Sequence, residues 1–211
     1  MLKLHGAALS NYYNMVKTAL LEEGIEFEEV LAPPSQDAAY LARSPMGKIP
    51  CLEVDGNFLS ETDAILEYIQ ETAPEPKLLP RDPFERAKVR ELCRSLELYI
   101  ELVARRGYAA LRGKPVADDV KESIAADLNK GAAAISRLAK FDPWIAGSEF
   151  SQADLTGYFS LILAVPSAQA NAGIDLLEIL PGAKAWYEQV GARASVKQAL
   201  ADQAALRKPK G

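Results

Sequence analysis

Residues 2–31 read LKLHGAALSNYYNMVKTALLEEGIEFEEVL, and the changes of rhythm inside that stretch decide the fold class. LKLHG is a short strand-like piece. NYYNMVKTALLEEG, residues 11–24, carries its apolar residues at helical spacing, and IEFEEVL, residues 25–31, returns to alternation. Strand, helix and strand in that order make a βαβ unit, which implies two parallel strands.

Outward from this unit, residues 36–43 read as a shorter helix. Residues 49–54 and 58–59 read as two strands around Asp55-Gly56-Asn57, a sequence that favours a tight hairpin. Residues 62–71 close the region as a helix. A βαβ half followed by ββα is the order of the thioredoxin fold, so the expectation is an α/β N-terminal thioredoxin-like domain with a four-stranded mixed sheet. Next, Pro74, Pro76, Pro80 and Pro83 fall within ten residues, where a helix cannot continue. Beyond them nothing reads as a strand. Helical stretches are expected over 84–111, 116–140, 151–170, 174–190 and 193–206, followed by a frayed basic tail, RKPKG. The expected domains are therefore 1–76, a linker over 77–83, and an all-α helical bundle over 84–211.

Composition narrows the function. The chain has 211 residues, 49% hydrophobic and 25% charged, enough for a packed core. Its net charge of -5 argues against a nucleic-acid binder that works by phosphate neutralisation. Residues 1–76 hold 4 basic and 13 acidic side chains against 20 and 16 in the remainder, a change of sign that supports a boundary near residue 76. No run approaches the roughly 20 apolar residues of a membrane span, and the first residues do not read as a signal peptide, so a cytoplasmic location is expected. Cys51 and Cys93 form neither a CxxC redox pair nor a zinc knuckle, and no metal is expected.

Four stretches together resemble the cytosolic glutathione transferase superfamily. SPMGKIPCL, residues 44–52, is similar to the family stretch whose last proline is cis. The resemblance makes Pro50 the cis residue and implies that the Ile49 backbone pairs with glutathione as with an extended peptide. SETDAILEYI, residues 60–69, resembles the opening of the family's third helix. There Thr62 would hold the γ-glutamyl carboxylate at a helix N-terminus and Glu61 the γ-glutamyl ammonium. Ser60 and Asp63 also read as a capping box.

Residues 9–30 resemble the passage that carries the catalytic residue. The tyrosine-dependent position falls on Gly6, whereas the serine-dependent position, six residues before a helix-1 valine at Val16, falls on Ser10. The resemblance therefore implies Ser10 as the donor of a hydrogen bond to the glutathione thiolate. Lowering a thiol pKa by two units takes about 2.7 kcal/mol, within reach of one charge-assisted hydrogen bond plus a helix end. From the residue alone Ser10 also reads as a helix N-cap, and Asn11, Tyr12 and Tyr13 crowd the same turn as alternatives. The fourth stretch, residues 143–161, is similar to the second-domain signature. In it Ser151 and Asp154 read as a structural capping box, worth about 1 kcal/mol.

Lys48 has the charge to reach the glycyl carboxylate of glutathione. Serine-type relatives also bind it with a basic pair near the start of helix 2, whose matching positions here depart to Ser35 and Gln36, with Gln36 kept as a glutathione-binding candidate. The resemblance further implies that Asn11, Tyr12, Tyr13 and Tyr108 line a pocket between domains for a hydrophobic electrophile. Tyr99, Arg105 and Arg106 fall on the same wall. His5 reads as a packed strand residue without a catalytic role. The implied enzyme is a glutathione transferase with glutathione as co-substrate, acting as a homodimer. The alternatives are a glutathione-dependent isomerase, peroxidase or disulfide reductase on the same site, or a non-catalytic scaffold of the same fold.

Overall fold

The structure is a computed structural model that describes residues 1–207; Lys208 to Gly211 of the expected basic tail lie outside the described residues. Two compact units divide the chain: Met1–Leu78 joined by the chain from Ala192, and Leu79–Gly191.

The first unit runs β1 (Leu2–Gly6), α1 (Asn11–Glu23), β2 (Phe27–Leu31), α2 (Ala38–Leu41), β3 (Cys51–Val54), β4 (Asn57–Ser60) and α3 (Thr62–Thr72). The sheet order is β2-β1-β3-β4, with β2 parallel to β1 and β3 and β4 antiparallel. This is the mixed thioredoxin-like sheet that the order of elements predicts. Asp55 and Gly56 both take positive φ, as a tight turn of the primed kind requires. Leu4, Met15, Val16, Leu20, Leu52 and Ile65 form the core, with helical spacing on α1 and alternate positions on β1 feeding the same interior.

The last helix, α10 (Ala194–Arg207), corrects the expected boundary. It belongs to this first unit and not to the bundle. The physical reason is the demand of α1 for partners. Lys17 is only 1% exposed and needs countercharge, which Asp202 supplies at 2.6 Å. Arg193 and Ser195 both donate to Glu22, while Val196 and Ala199 are fully buried. At the other edge Glu23 accepts from the Gln70 amide and from the N–H groups of Lys77 and Leu78, which ties down the chain where the unit ends.

The second unit is helical: α4 (Pro83–Leu96), a π-helical turn (Glu97–Glu101), α5 (Leu102–Arg105), a 3₁₀ turn (Tyr108–Arg112), α6 (Asp118–Leu138), α7 (Gln152–Ala172), α8 (Leu176–Ile179) and α9 (Ala183–Gly191). The helix expected over 84–111 is thus continuous to Arg105 but widens to a π turn at Glu97–Glu101, and it is interrupted once, at the turn before the 3₁₀ segment. Gly131 of α6 explains why the π turn packs closely, since a Cβ there would meet the Tyr99 carbonyl oxygen at 2.3 Å. The helix expected over 174–190 is split around Pro181, whose ring cannot continue it. Most of α7 is buried, including Leu155, Phe159 and Leu161, and its start is organised by Asp154. The Asp154 carboxylate accepts from the Ser151 N–H and hydroxyl, the Ile145 N–H and the Trp186 indole. No helix among the described residues is long and apolar enough to cross a membrane.

Candidate active site

Sheet register brings three separate segments to one end of the first unit. His5 near the end of β1 pairs with Cys51 at the start of β3, and Cys51 pairs with Ser60 at the end of β4. The loop leaving β1, the segment entering β3 and the turn leaving β4 therefore share one sheet end. Because β2 runs parallel to β1, with Gly6 beside Leu31, the segment after β2 arrives there too.

The loop after β1 carries Ser10, the N-cap of α1 with extended backbone. Its hydroxyl accepts the Tyr13 N–H at 3.3 Å, which leaves the O–H proton available as a donor. The turn is held from below by fully buried Asn14, whose amide donates to the Ala8 carbonyl at 2.8 Å. The capping reading of Ser10 is thus realised. It also presents the hydroxyl at the positive end of a 13-residue helix.

The tyrosines of this turn separate. Tyr12 is half-buried, whereas Tyr13 is 2% exposed and points inward. Its hydroxyl donates to Glu29 at 2.6 Å, and burial, then the Glu29 hydrogen bond and charge, push its pKa far above the ordinary phenol value. Tyr13 as a thiolate donor or as a pocket residue is therefore corrected: its ring fills the interior against Gly6, where a Cβ would come within 2.3 Å of it. Asn11 is buried beside Ser10.

The segment entering β3 has Ile49–Pro50 as a cis peptide. Pairing of β3 with β1 begins only at Cys51, and among the described residues neither the N–H nor the C=O of Ile49 has a backbone partner. The preceding turn is fixed by residues that the motif alone leaves without a role. The Ser44 hydroxyl and the Tyr40 hydroxyl both donate to the Lys48 carbonyl. Gly47, at φ 66°, lies so close to Gln36 and the Ser35 carbonyl that a Cβ would meet both at 2.3 Å. Gln36 is exposed and its amide donates to the Met46 carbonyl at 3.3 Å, so it braces this turn. The Lys48 side chain is exposed.

The turn leaving β4 carries Glu61 and Thr62. Glu61 is the N-cap of α3, with φ 71° and ψ 120° and no side-chain capping bond. That corrects the expected Ser60–Asp63 box: Ser60 is the last residue of β4, and the helix starts at Thr62. A non-glycine residue at this φ costs on the order of 1–3 kcal/mol and persists where the surroundings impose it.

Elsewhere, buried His5 meets the partly exposed Glu53 carboxylate at 2.8 Å. Cys51 is buried, its thiol donates to the Arg43 carbonyl, and burial pushes its pKa up to about 11. In the helical unit Tyr108 opens the 3₁₀ turn with the Arg112 guanidinium over its ring at 4.9 Å. Tyr99 is half exposed on the π turn. Arg105 pairs with buried Glu101, and Arg106 with Asp127, so both guanidinium groups already serve partners in their own unit.

Residues 4–77 match the family model described as the N-terminal domain of glutathione S-transferase. A glutathione S-transferase of Pseudomonas putida is 47% identical over 206 residues, covering 97% of this chain and 94% of its own length. The chain belongs to the glutathione S-transferase family. A maleylacetoacetate isomerase of Pseudomonas aeruginosa is 29% identical to this transferase over 163 residues, covering 73% of the chain and 77% of the relative. Among solved structures, a glutathione S-transferase from Rhodospirillum rubrum has a TM-score of 0.75 and 28% identity, covering 95% of this chain and 92% of that one.

Proposed function

We propose that this transferase activates glutathione through Ser10, whose hydroxyl donates to the thiolate while the N-terminus of α1 adds a favourable dipole. The observation that carries the reading is the gathering of Ser10, the unpaired Ile49 backbone and the Glu61–Thr62 opening of α3 at one end of the sheet. Ile49 pairs with the tripeptide backbone. Thr62 and the helix N-terminus take the γ-glutamyl carboxylate, and Glu61 takes its ammonium. Lys48 supplies charge for the glycyl carboxylate, with Gln36 beside it. The thiolate then attacks an electrophilic carbon of a hydrophobic small molecule, with positioning supplying much of the acceleration. Neither the binding of glutathione nor the attack calls for a metal. By family resemblance the protein is cytoplasmic and its working form is a homodimer, and sedimentation of the purified protein tests the second of these directly.

Calorimetric titration of glutathione, followed by ultraviolet absorbance of the thiolate in wild type and Ser10→Ala, tests this assignment. Saturable binding in both proteins, with the thiolate signal lost in the variant, is the expected result. No binding at millimolar glutathione would remove the reading altogether. The name of the Pseudomonas aeruginosa relative supports a second use of the same thiolate, reversible addition to a double bond that lets it rotate before the thiol leaves. Turnover of a cis-enone acid without net consumption of glutathione would favour that use over conjugation.

A further inference from the structure

A chain of short contacts leads from the last helix to Ser10, entirely within the first unit. Asp202 on α10 accepts from Lys17 at 2.6 Å, Lys17 also donates to Glu29 at 2.5 Å, and Glu29 accepts the Tyr13 hydroxyl at 2.6 Å. The backbone N–H of that same Tyr13 is the group that binds the Ser10 hydroxyl oxygen. Tyr13 and Lys17 lie four residues apart on α1 and so share one face of it. Gly6 leaves room for the Tyr13 ring, because any Cβ would collide with it.

An ammonium group 1% exposed is a costly way to hold a helix. An apolar side chain of similar volume often stabilises as well or better, so a retained buried charge needs a reason beyond stability. Here the charge is linked through Glu29 to a single phenol, and the backbone N–H of the residue bearing that phenol binds the Ser10 hydroxyl oxygen. Asn14 holds the other side of the loop through the Ala8 carbonyl, so the turn has little freedom except through Tyr13. We propose that Lys17, Glu29 and Tyr13 are positioning residues for Ser10, and that Asp202 couples the C-terminal helix to thiol activation.

The proposal rests on Ser10 being the thiolate donor. It predicts a role for the chain's last helix in the chemistry, at a position 185 residues from Lys17 in sequence. The relay acts on the direction of one O–H bond and leaves the groups proposed to hold the tripeptide untouched, so its signature is a change in thiol ionisation without a matching change in glutathione affinity.

The experiment titrates the thiol of bound glutathione by its thiolate absorbance in wild type, Ser10→Ala, Tyr13→Phe, Asp202→Asn, Lys17→Met, Lys17→Arg and Arg193→Gln. Glutathione Kd and urea midpoints are measured alongside. Tyr13→Phe and Asp202→Asn are expected to raise the thiol pKa by about half to one unit, roughly three- to tenfold less thiolate at fixed pH, with Kd within about twofold. Lys17→Met should do the same or more, and Lys17→Arg should recover part of the loss. Arg193→Gln loosens α10 at Glu22, away from the relay, and should lower the urea midpoint while leaving the thiol pKa at the wild-type value. If Ser10→Ala raises the pKa but Tyr13→Phe and Asp202→Asn do not, the relay is overturned and the Ser10 assignment stands. If Arg193→Gln raises it as much as Asp202→Asn does, the effect is general packing and the relay is likewise overturned. A silent Ser10→Ala removes both readings.

Discussion

Asp154 accepts the indole N–H of Trp186 at 2.7 Å while both groups are buried, and three further donors converge on the same carboxylate. Burial raises the Asp154 pKa despite those four hydrogen bonds, which marks a charge held deep in the helical unit. A capping aspartate at a helix start is worth about 1 kcal/mol. This one also satisfies a loop N–H and an indole, and each buried donor left unpaired costs about 1–3 kcal/mol. Asp154→Ala should therefore lower stability by about 3 kcal/mol or more in urea unfolding. A loss below about 1 kcal/mol would reduce Asp154 to an ordinary cap.

Glu61 makes the opposite kind of prediction. Its backbone sits at φ 71°, a region where glycine is at ease and glutamate is not. Glu61→Gly should raise the urea stability by up to about 1 kcal/mol, while weakening glutathione binding roughly tenfold or more through loss of the carboxylate facing the γ-glutamyl ammonium. Calorimetry and unfolding on the same preparation check both halves. If the variant is less stable than wild type and binds glutathione equally well, the residue is a cap and not a ligand.

The sheet was legible because its signals are local: alternation in Leu2–Gly6, helical spacing in α1, and the Asp55-Gly56 turn. Pro50 in cis followed from the family stretch, since no periodicity reports a peptide isomer. The long-range pairings were hidden. Lys17 looks like any solvated lysine in sequence, and nothing short of the fold places Asp202 beside it. Tyr12 and Tyr13 are neighbours on a helix and diverge by about 100°, so one faces the core and the other does not. Gly6, at the strand end and opposite the Tyr13 ring, was the one available clue. The π turn over Glu97–Glu101 carries no propensity signal either, although Gly131, which admits the Tyr99 carbonyl, marks a close backbone approach.

Cys51 adjoins the cis proline, yet it should be chemically silent. With burial holding its pKa at about 11, only about one thiol in three thousand is ionised near pH 7.5, and the side chain is 1% exposed. Iodoacetamide should leave Cys51 unmodified in the native protein over hours and label it promptly in urea, as peptide mass spectrometry would report. Rapid native labelling would mean that the strand start opens, and that this cysteine belongs among the reactive groups of the site.

The clamp of α10 on α1 gives a pH signature of its own. Burial pushes the Glu22 carboxyl up, but the hydrogen bonds from Arg193 and Ser195 and the charges of Arg193 and Lys77 outweigh it, and the net pKa is lowered from its ordinary 4.5. A folded-state pKa below the unfolded value means that the unfolded chain binds the proton more readily. The stabilisation is therefore fully present above about pH 4.5 and is lost as pH falls through the folded value. Glu22→Gln should cost about 1 kcal/mol at pH 7, discounted for the partial exposure of Arg193. The gap to wild type should close as pH is lowered toward 3. Urea midpoints at pH 7, 5, 4 and 3 measure this directly. A gap that stays constant across the series would show that Glu22 contributes through packing and not through its charge, and α10 would then be held on α1 chiefly by Lys17 and the buried face of Val196 and Ala199.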